Sequence, residues 1–218
     1  MPTFGLTHLQ FLLQGALWTI VLSACALLGG GLMGLLIALC RVSRFSVVSG
    51  IAWAYIQVVQ GVPLLVIMFV GYFGLPALGV SVSPLMAATL SMTVWVGAYF
   101  GEFWRGAIQA VPRAQWEAAE CLALTSTQRM FKVIIPQAVR SATPGTVGFM
   151  VQIVKNTSLA STVSFIDLTR AGQLINNSTF QPFLTFTVVA IIYFMLCYPL
   201  SVLSHRLEKR MARGMRGV

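Results

Sequence analysis

Of the 218 residues, 57% are hydrophobic and only 9% charged, and the formal net charge is +9. A soluble domain of this size carries about a quarter charged residues, so the chain lacks the polar surface water requires, and lipid is the solvent that fits. The basic excess does not read as a nucleic-acid footprint, because Lys and Arg fall in short groups between apolar runs and not along one polar face.

In chain order, the first long apolar run covers residues 17–40. Gly29, Gly30, Gly31 and Gly34 lie within it, and small residues let a second helix approach closely in lipid. The stretch MPTFGLTHLQ ahead of the run contains no Lys or Arg, whereas Arg41 and Arg44 follow it. A signal peptide has the opposite charge order and a shorter apolar core, so the run is expected to be a permanent span. Further spans are expected over residues 62–80, with a helical approach from near Ala52, and over 85–104. Two more are expected over 134–154, interrupted by Pro136, Arg140 and Pro144, and over 184–203. Each is near the roughly 20 residues a bilayer core requires. The expectation is an all-α integral membrane bundle of about five transmembrane helices, a single domain over residues 1–218.

Charge sets the orientation. With the N-terminus outside, the inner segments hold Arg41 and Arg44, then Arg105, Arg113, Arg129, Lys132 and Arg140, then Arg206, Lys209, Arg210, Arg213 and Arg216. Only Lys155 and Arg170 of the 14 basic residues then lie in or beyond the outer half. The positive-inside rule therefore predicts an outside N-terminus and a cytoplasmic C-terminus. Cys25, Cys40, Cys121 and Cys197 have no metal-ligand spacing and sit in or beside apolar runs, so they are expected to be small buried hydrophobes without a disulfide.

A polar insert, about residues 106–133, separates the third and fourth spans on the basic side. Pro112 suits the first turn of a helix, and Ala114, Gln115, Glu117, Ala118, Ala119, Glu120 and Leu122 favour helix over 113–122. Glu117 and Glu120 lie near its start, where negative charge complements the helix dipole. Thr125 and Gln128 have capping-box spacing, so a second helix is expected from Thr125. Phe131, Ile134 and Ile135 give it an apolar face. Such a helix–bend–helix can be a solvated connection, lie on the membrane surface, or fit a groove on another protein.

Polar residues inside a bilayer are costly and usually pair or line a path. Lys155 lies about 21 Å along a helix from Ser141, in the outer half, and Asn156, Thr157 and Ser158 follow it. This run offers donors for a carboxylate and acceptors for an ammonium group. The alternatives are that Lys155 snorkels to the interface or pairs with Asp167. Gln57 and Gln60 share a helical face and either line the same path or hydrogen-bond between helices. Glu102 and Arg105, three apart, are expected to form an ion pair. The chain has no G-x-x-x-x-G-K-[ST] stretch, His8 and His205 lie far from any nucleophile, and the 5 acidic residues are dispersed. Intramembrane catalysis is therefore disfavoured; a stand-alone channel or secondary transporter is the stronger rival, and it would bind no ATPase.

The insert "EAAECLALT" (117–125) followed by "IIPQA" (134–138) resembles the cytoplasmic motif of bacterial ABC importer permeases. The stretches "YIQVVQGVPLL" (55–65), "GAYFGEFWRGAIQAVPRAQWEAA" (97–119), "PQAVR" (136–140) and "KNTSLAS" (155–161), in family order, narrow the resemblance to the polar amino-acid uptake subgroup. The resemblance implies a permease subunit with no cofactor of its own, whose partner ATPase subunits, two per complex, bind ATP and Mg. It also implies a second permease subunit, identical or homologous, and a periplasmic amino-acid-binding protein. Gln115, Glu117, Ala118, Ala119, Leu122, Ala123 and Thr125 would form the element that docks on the ATPase, and the 155–158 run would lie along the substrate path. Ala123 and Ala114 replace usual glycines, and Gln60 a frequent arginine. If Ala123 is left-handed, alanine costs about 1 kcal/mol more than glycine there.

The basic-residue pattern generates a topology test. In a cysteine-free background, single cysteines at positions 4 and 79 are expected to react with an impermeant reagent added outside, and cysteines at 128 and 212 are not. External labelling at 128 in intact cells would reverse the orientation.

Overall fold

A computed structural model describes residues 4–215, with side chains through residue 211, and its regular elements are all helical. Helix α1, Leu6–Arg41, is 36 residues long and begins well ahead of the apolar run. Its start is set locally: the Gly5 N–H donates to His8 Nδ1 at 3.1 Å. His8, Gln10 and Gln14 lower the hydropathy of that turn without breaking the helix.

The expected second span is two limbs. Helix α2, Ser46–Gly61, and the segment Leu64–Ala77 meet at 100°. Pro63 forces the change by excluding Val62 from the helical region, and Val62 is extended at φ −108, ψ 132. The second limb comprises α3, Leu64–Phe69, a π turn at Val70–Gly74 and α4, Leu75–Ala77.

Helix α5, Pro84–Gln109, is capped by Ser83, whose Oγ accepts from the Met86 N–H at 3.2 Å. Its contact with α1 is the most extensive in the chain. A Cβ on Gly30 would fall 2.5 Å from Val96 Cβ, one on Gly34 2.6 Å from Phe100 Cβ, and one on Gly101 2.5 Å from Ile37 Cγ2. Gly31 faces open space, so only Gly29, Gly30 and Gly34 of the expected stripe meet α5.

Two short helices follow, α6, Arg113–Cys121, and α7, Ser126–Arg129. A π turn, Met130–Ile134, leads from α7 into α8, Ile135–Asn156. A 3₁₀ turn, Thr157–Val163, then leads to α9, Leu168–Thr179, an amphipathic helix that periodicity did not single out. Asp167 caps it: the buried carboxylate accepts from the Thr169 and Arg170 N–H groups at 3.1 and 2.9 Å and from Tyr193 Oη–H at 3.0 Å. Leu12 and Ala16 of α1 pack with Leu168, Ala171 and Ile175 of α9 and with Val189 of α10, Pro182–Met215.

Among the described residues, α1 and Pro182–Met211 are long and apolar enough to cross a membrane, and the bent pair formed by α2 and the segment Leu64–Ala77 adds up to one more. At the end of the bundle where α1 and α5 finish, Glu102 accepts two bonds from Arg105, at 2.9 and 2.5 Å, which bears out that ion pair. Arg41 Nε lies 3.9 Å from the same carboxylate. Cys197 is buried, but Cys25 and Cys121 are exposed, which corrects their reading as buried hydrophobes; all four cysteines are free.

The α1–α5 contact yields a paired test. Gly34→Ala is expected to destabilise the protein by about 1–3 kcal/mol through overpacking, whereas Gly31→Ala is expected to be neutral or stabilising by up to about 1 kcal/mol. Thermal unfolding of both variants in one detergent checks this, and equal midpoints would argue against close helix contact.

Candidate functional site

The polar insert folds as a braced helical hairpin. Helix α6 stops at Ala123, which is left-handed at φ 53. The Leu124 N–H donates to the Ala119 carbonyl at 3.2 Å and the Ala123 N–H to the Glu120 carbonyl at 2.8 Å, the bond pair of a Schellman stop. Thr125 then opens α7: Thr125 Oγ1 accepts from the Gln128 N–H at 3.3 Å, while Gln128 Oε1 accepts from the Thr125 N–H at 3.1 Å. The reciprocal cap read from the sequence is present. Across the bend the Arg129 guanidinium pairs with Glu120 and lies 5.6 Å from the Trp116 ring centre. Gln115 Oε1 accepts from Gln137 Nε2 at 3.2 Å, tying α6 to the start of α8.

The hairpin presents Glu117, Ala118, Ala123 and Thr125 to solvent, with Leu122 73% exposed and Phe131 59% exposed. Ala119 does not belong to that face. It is 2% exposed, the one buried side chain of α6. Three residues after Trp116 on a helix of 3.6 residues per turn, it falls on the side where α6 packs against Met130–Ile134. The expectation that Ala119 is part of the docking surface is thereby corrected: its side chain faces the chain's own interior. What remains outside is a tip with the Glu117 carboxylate, the Arg129-paired Glu120 and the large apolar Leu122 and Phe131, a surface suited to a groove.

The polar residues of the expected path divide differently. Lys155, in the last turn of α8, is exposed, and its carbonyl accepts from Ser158 Oγ–H at 2.7 Å. Asn156 and Ser158 are half-buried. Thr157 is fully buried, with its hydroxyl donating to the Val154 carbonyl at 2.8 Å, so the expectation that it lines an open path is corrected. As the first residue of the 3₁₀ turn it closes the helix end and packs inward. Among the described residues Lys155 forms no ion pair with Asp167, whose oxygens are already occupied.

Gln57 is exposed, whereas half-buried Gln60 donates to the Ala98 carbonyl of α5 at 3.4 Å, the interhelical alternative. No hydrogen bond among the described residues joins Gln57 or Gln60 to the 155–158 run. The sequence reading missed an aromatic wall beside α8. Phe149 stacks on Trp95 and on Tyr99, each at 5.3 Å between ring centres. With Gln152, Tyr99 and Phe149 line a cavity of about 250 Å³, and Gln152 is exposed on the Lys155 face of the helix. The i,i+4 spacing of Trp95 and Tyr99 was the available signal.

The left-handed stop makes one substitution decisive. Ala123→Gly is expected to stabilise the protein by about 1 kcal/mol, by removing the Cβ penalty at positive φ. Thermal unfolding in detergent reads this, and a lower midpoint for the glycine variant would mean that the bend is not left-handed in solution.

Residues 30–213 match the family described as binding-protein-dependent transport system inner membrane component. A probable glutamine ABC transporter permease protein of Bacillus subtilis (strain 168) is 33% identical over 202 residues, 93% of this chain and 94% of that protein. An L-cystine transport system permease protein of the same organism is 32% identical over 200 residues, 91% of this chain and 86% of its own length. A crystal structure of an amino acid ABC transporter with histidines aligns at 32% identity and a TM-score of 0.88, covering 96% of this chain and 100% of its own. An inward-facing methionine ABC transporter aligns at a TM-score of 0.76 and 17% identity, over 95% of this chain and 99% of its own, a likeness of fold. On the extent of these matches, the chain belongs to the inner membrane components of binding-protein-dependent ABC transport systems.

Proposed function

We propose that this chain is the permease subunit of an ATP-driven importer that carries a polar amino acid across the bacterial inner membrane. Its N-terminus lies outside, its C-terminus in the cytoplasm, and about five spans form one transmembrane domain over residues 1–218. Two ATP-binding subunits, which hold the nucleotide and Mg, dock beneath the loop at about 106–133. A second permease subunit, identical or homologous, completes the pathway, and a periplasmic amino-acid-binding protein delivers the substrate. Two similar permeases are named for glutamine and cystine, and a similar transporter is described with histidines, which supports a polar amino acid as the class.

The observation that carries this reading is the hairpin 113–134, braced from within and bare on its outer face. A solvated connection needs no Schellman stop, capping box and cross-bend ion pair, nor does it benefit from an exposed Leu122 and Phe131. A docking element needs both. Glu117 supplies the charge, and a charge-assisted hydrogen bond to it contributes roughly 1.5–3 kcal/mol. Ala118 allows close approach, while Gln115 and Thr125 hold the hairpin's shape. Lys155, with Asn156, Ser158 and Gln57, is assigned to the path, where its ammonium meets the substrate carboxylate.

Purified mutant complexes in proteoliposomes test both assignments. Glu117→Lys is expected to leave the subunit inserted but to uncouple ATP hydrolysis from uptake. Lys155→Met is expected to reduce uptake while ATPase binding is retained. Wild-type coupling in the first variant would reduce the hairpin to a connection, and unchanged uptake kinetics in the second would favour a lysine that merely snorkels.

A further inference from the structure

Helices α1, α5 and α8 enclose an apolar cavity of about 400 Å³. Its lining includes Leu35, Ala38, Ala107, Ala138 and Val139 and no charged side chain. Two of its lining residues, Leu35 and Val139, are exposed, Val139 to 58%. Leu39 and Ile108 line this cavity and also a second, more open one that continues it toward the end of α1. The second cavity adds basic groups to an apolar lining: Arg41, Arg44 and Arg129 line it with Ser43, Ser126 and Thr127 beside Val42, Phe45, Trp116 and Phe131, and no carboxylate is among its lining residues.

The guanidinium groups retain binding capacity. Arg41 Nη1 donates to Ser49 Oγ at 3.0 Å, its Nε lies 3.9 Å from the Glu102 carboxylate, and Arg129 pairs with Glu120; the buried Nε of each makes no hydrogen bond, and Arg44 has no such carboxylate among the described residues. Buried donors of this kind call for an explanation. Arg44 is exposed at the mouth. A phosphate oxygen is the acceptor that suits several converging guanidinium groups.

We propose that the two cavities form one site for an anionic phospholipid, with an acyl chain between α1, α5 and α8 and the phosphate over Arg41, Arg44 and Arg129. A soluble anion would occupy only the basic half. A peptide would bring backbone N–H and C=O groups into an apolar half that cannot satisfy them. The hydroxyls there are already committed: Thr143 donates to the Val139 carbonyl at 2.7 Å, and Thr146 donates to the Ala142 carbonyl at 2.9 Å while accepting from Trp104 Nε1 at 3.0 Å. An acyl chain has no such requirement. The assignment rests on the proposed orientation, which puts this end at the cytoplasmic leaflet, where anionic lipids and basic pockets meet.

The test uses the full chain purified with its ATPase subunits, with bound lipid read by native mass spectrometry. Phosphatidylglycerol is expected to be retained over phosphatidylcholine of the same chains, and Arg44→Gln is expected to weaken phosphatidylglycerol about fivefold, the effect of one cation at a membrane surface. Val139→Trp, which enlarges an exposed lining residue, is expected to weaken both lipids. Equal retention of the two lipids by the wild-type complex overturns the proposal, and this comparison decides even if a variant fails to assemble. Displacement of lipid by millimolar inorganic phosphate together with indifference to Val139→Trp overturns it in favour of a soluble-anion pocket. Loss of lipid when the ATPase subunits dock overturns it in favour of a protein interface. Cysteine labelling at position 128 reads orientation separately, so failure of the lipid site and failure of the topology are distinguishable.

Discussion

In hydrocarbon, two apolar helices gain nothing by hiding from the solvent, so their association depends on how closely their surfaces fit. The contact of α1 with α5 meets that constraint through Gly30 and Gly34 on one helix and Gly97 and Gly101 on the other, each facing a side chain of its neighbour. The remaining elements are referred to this pair. Tyr55 of α2 donates to the Val94 carbonyl of α5 at 2.6 Å, and Trp104 of α5 donates to Thr146 of α8 at 3.0 Å. Arg41 and Glu102 meet where the pair ends, at the side that carries the hairpin.

A second fixed point lies at the opposite end. Asp167 combines a helix cap with a tertiary bond, since the carboxylate that accepts two N–H groups of α9 also accepts from Tyr193 of α10. The backbone there is tied to α1 as well, because the Leu168 N–H donates to Thr19 Oγ1 at 3.2 Å. A buried carboxylate is tolerated when its oxygens are this fully occupied. Lys155 makes no bond to that carboxylate and is exposed in the last turn of α8.

What the sequence made legible follows the range of the interactions concerned. The Thr125–Gln128 cap and the Glu102–Arg105 pair span three residues each and were readable from spacing. The left-handed Ala123 was readable because a motif with glycine at that place fixes the kind of bend. Helix α9 was not: Thr169, Arg170, Gln173, Asn176 and Asn177 dilute its apolar stripe, and its cap is completed by Tyr193, 26 residues away. Ala119 and Thr157 were misplaced for a related reason. A small or hydroxylated side chain suits either an outer face or an inner one, and only the packing of α6 on 130–134 and the inward turn after Asn156 decide which. The bend at Pro63 escaped the sequence reading, which ran a helical approach from near Ala52 into one span over 62–80, whereas the two limbs meet at 100°.

The hairpin's second helix never ends in a loop. From Ser126 through the π turn to Asn156 the backbone is helical without a break, a rod of about 46 Å at 1.5 Å per residue. A rod transmits displacement instead of absorbing it, so a push on Phe131 at one end is delivered as a tilt at the other, where Lys155 sits. Compliance along it is concentrated where backbone bonds are missing: Pro136 and Pro144 lack the N–H that would reach four residues back. The helix thus has two soft joints, Pro136 in its first half and Pro144 past its midpoint, and a stiff arm beyond Pro144. Under the proposed coupling role, the displacement that reaches Lys155 is set by the stiffness of residues 136–144, which the Gln137–Gln115 bond ties to the hairpin.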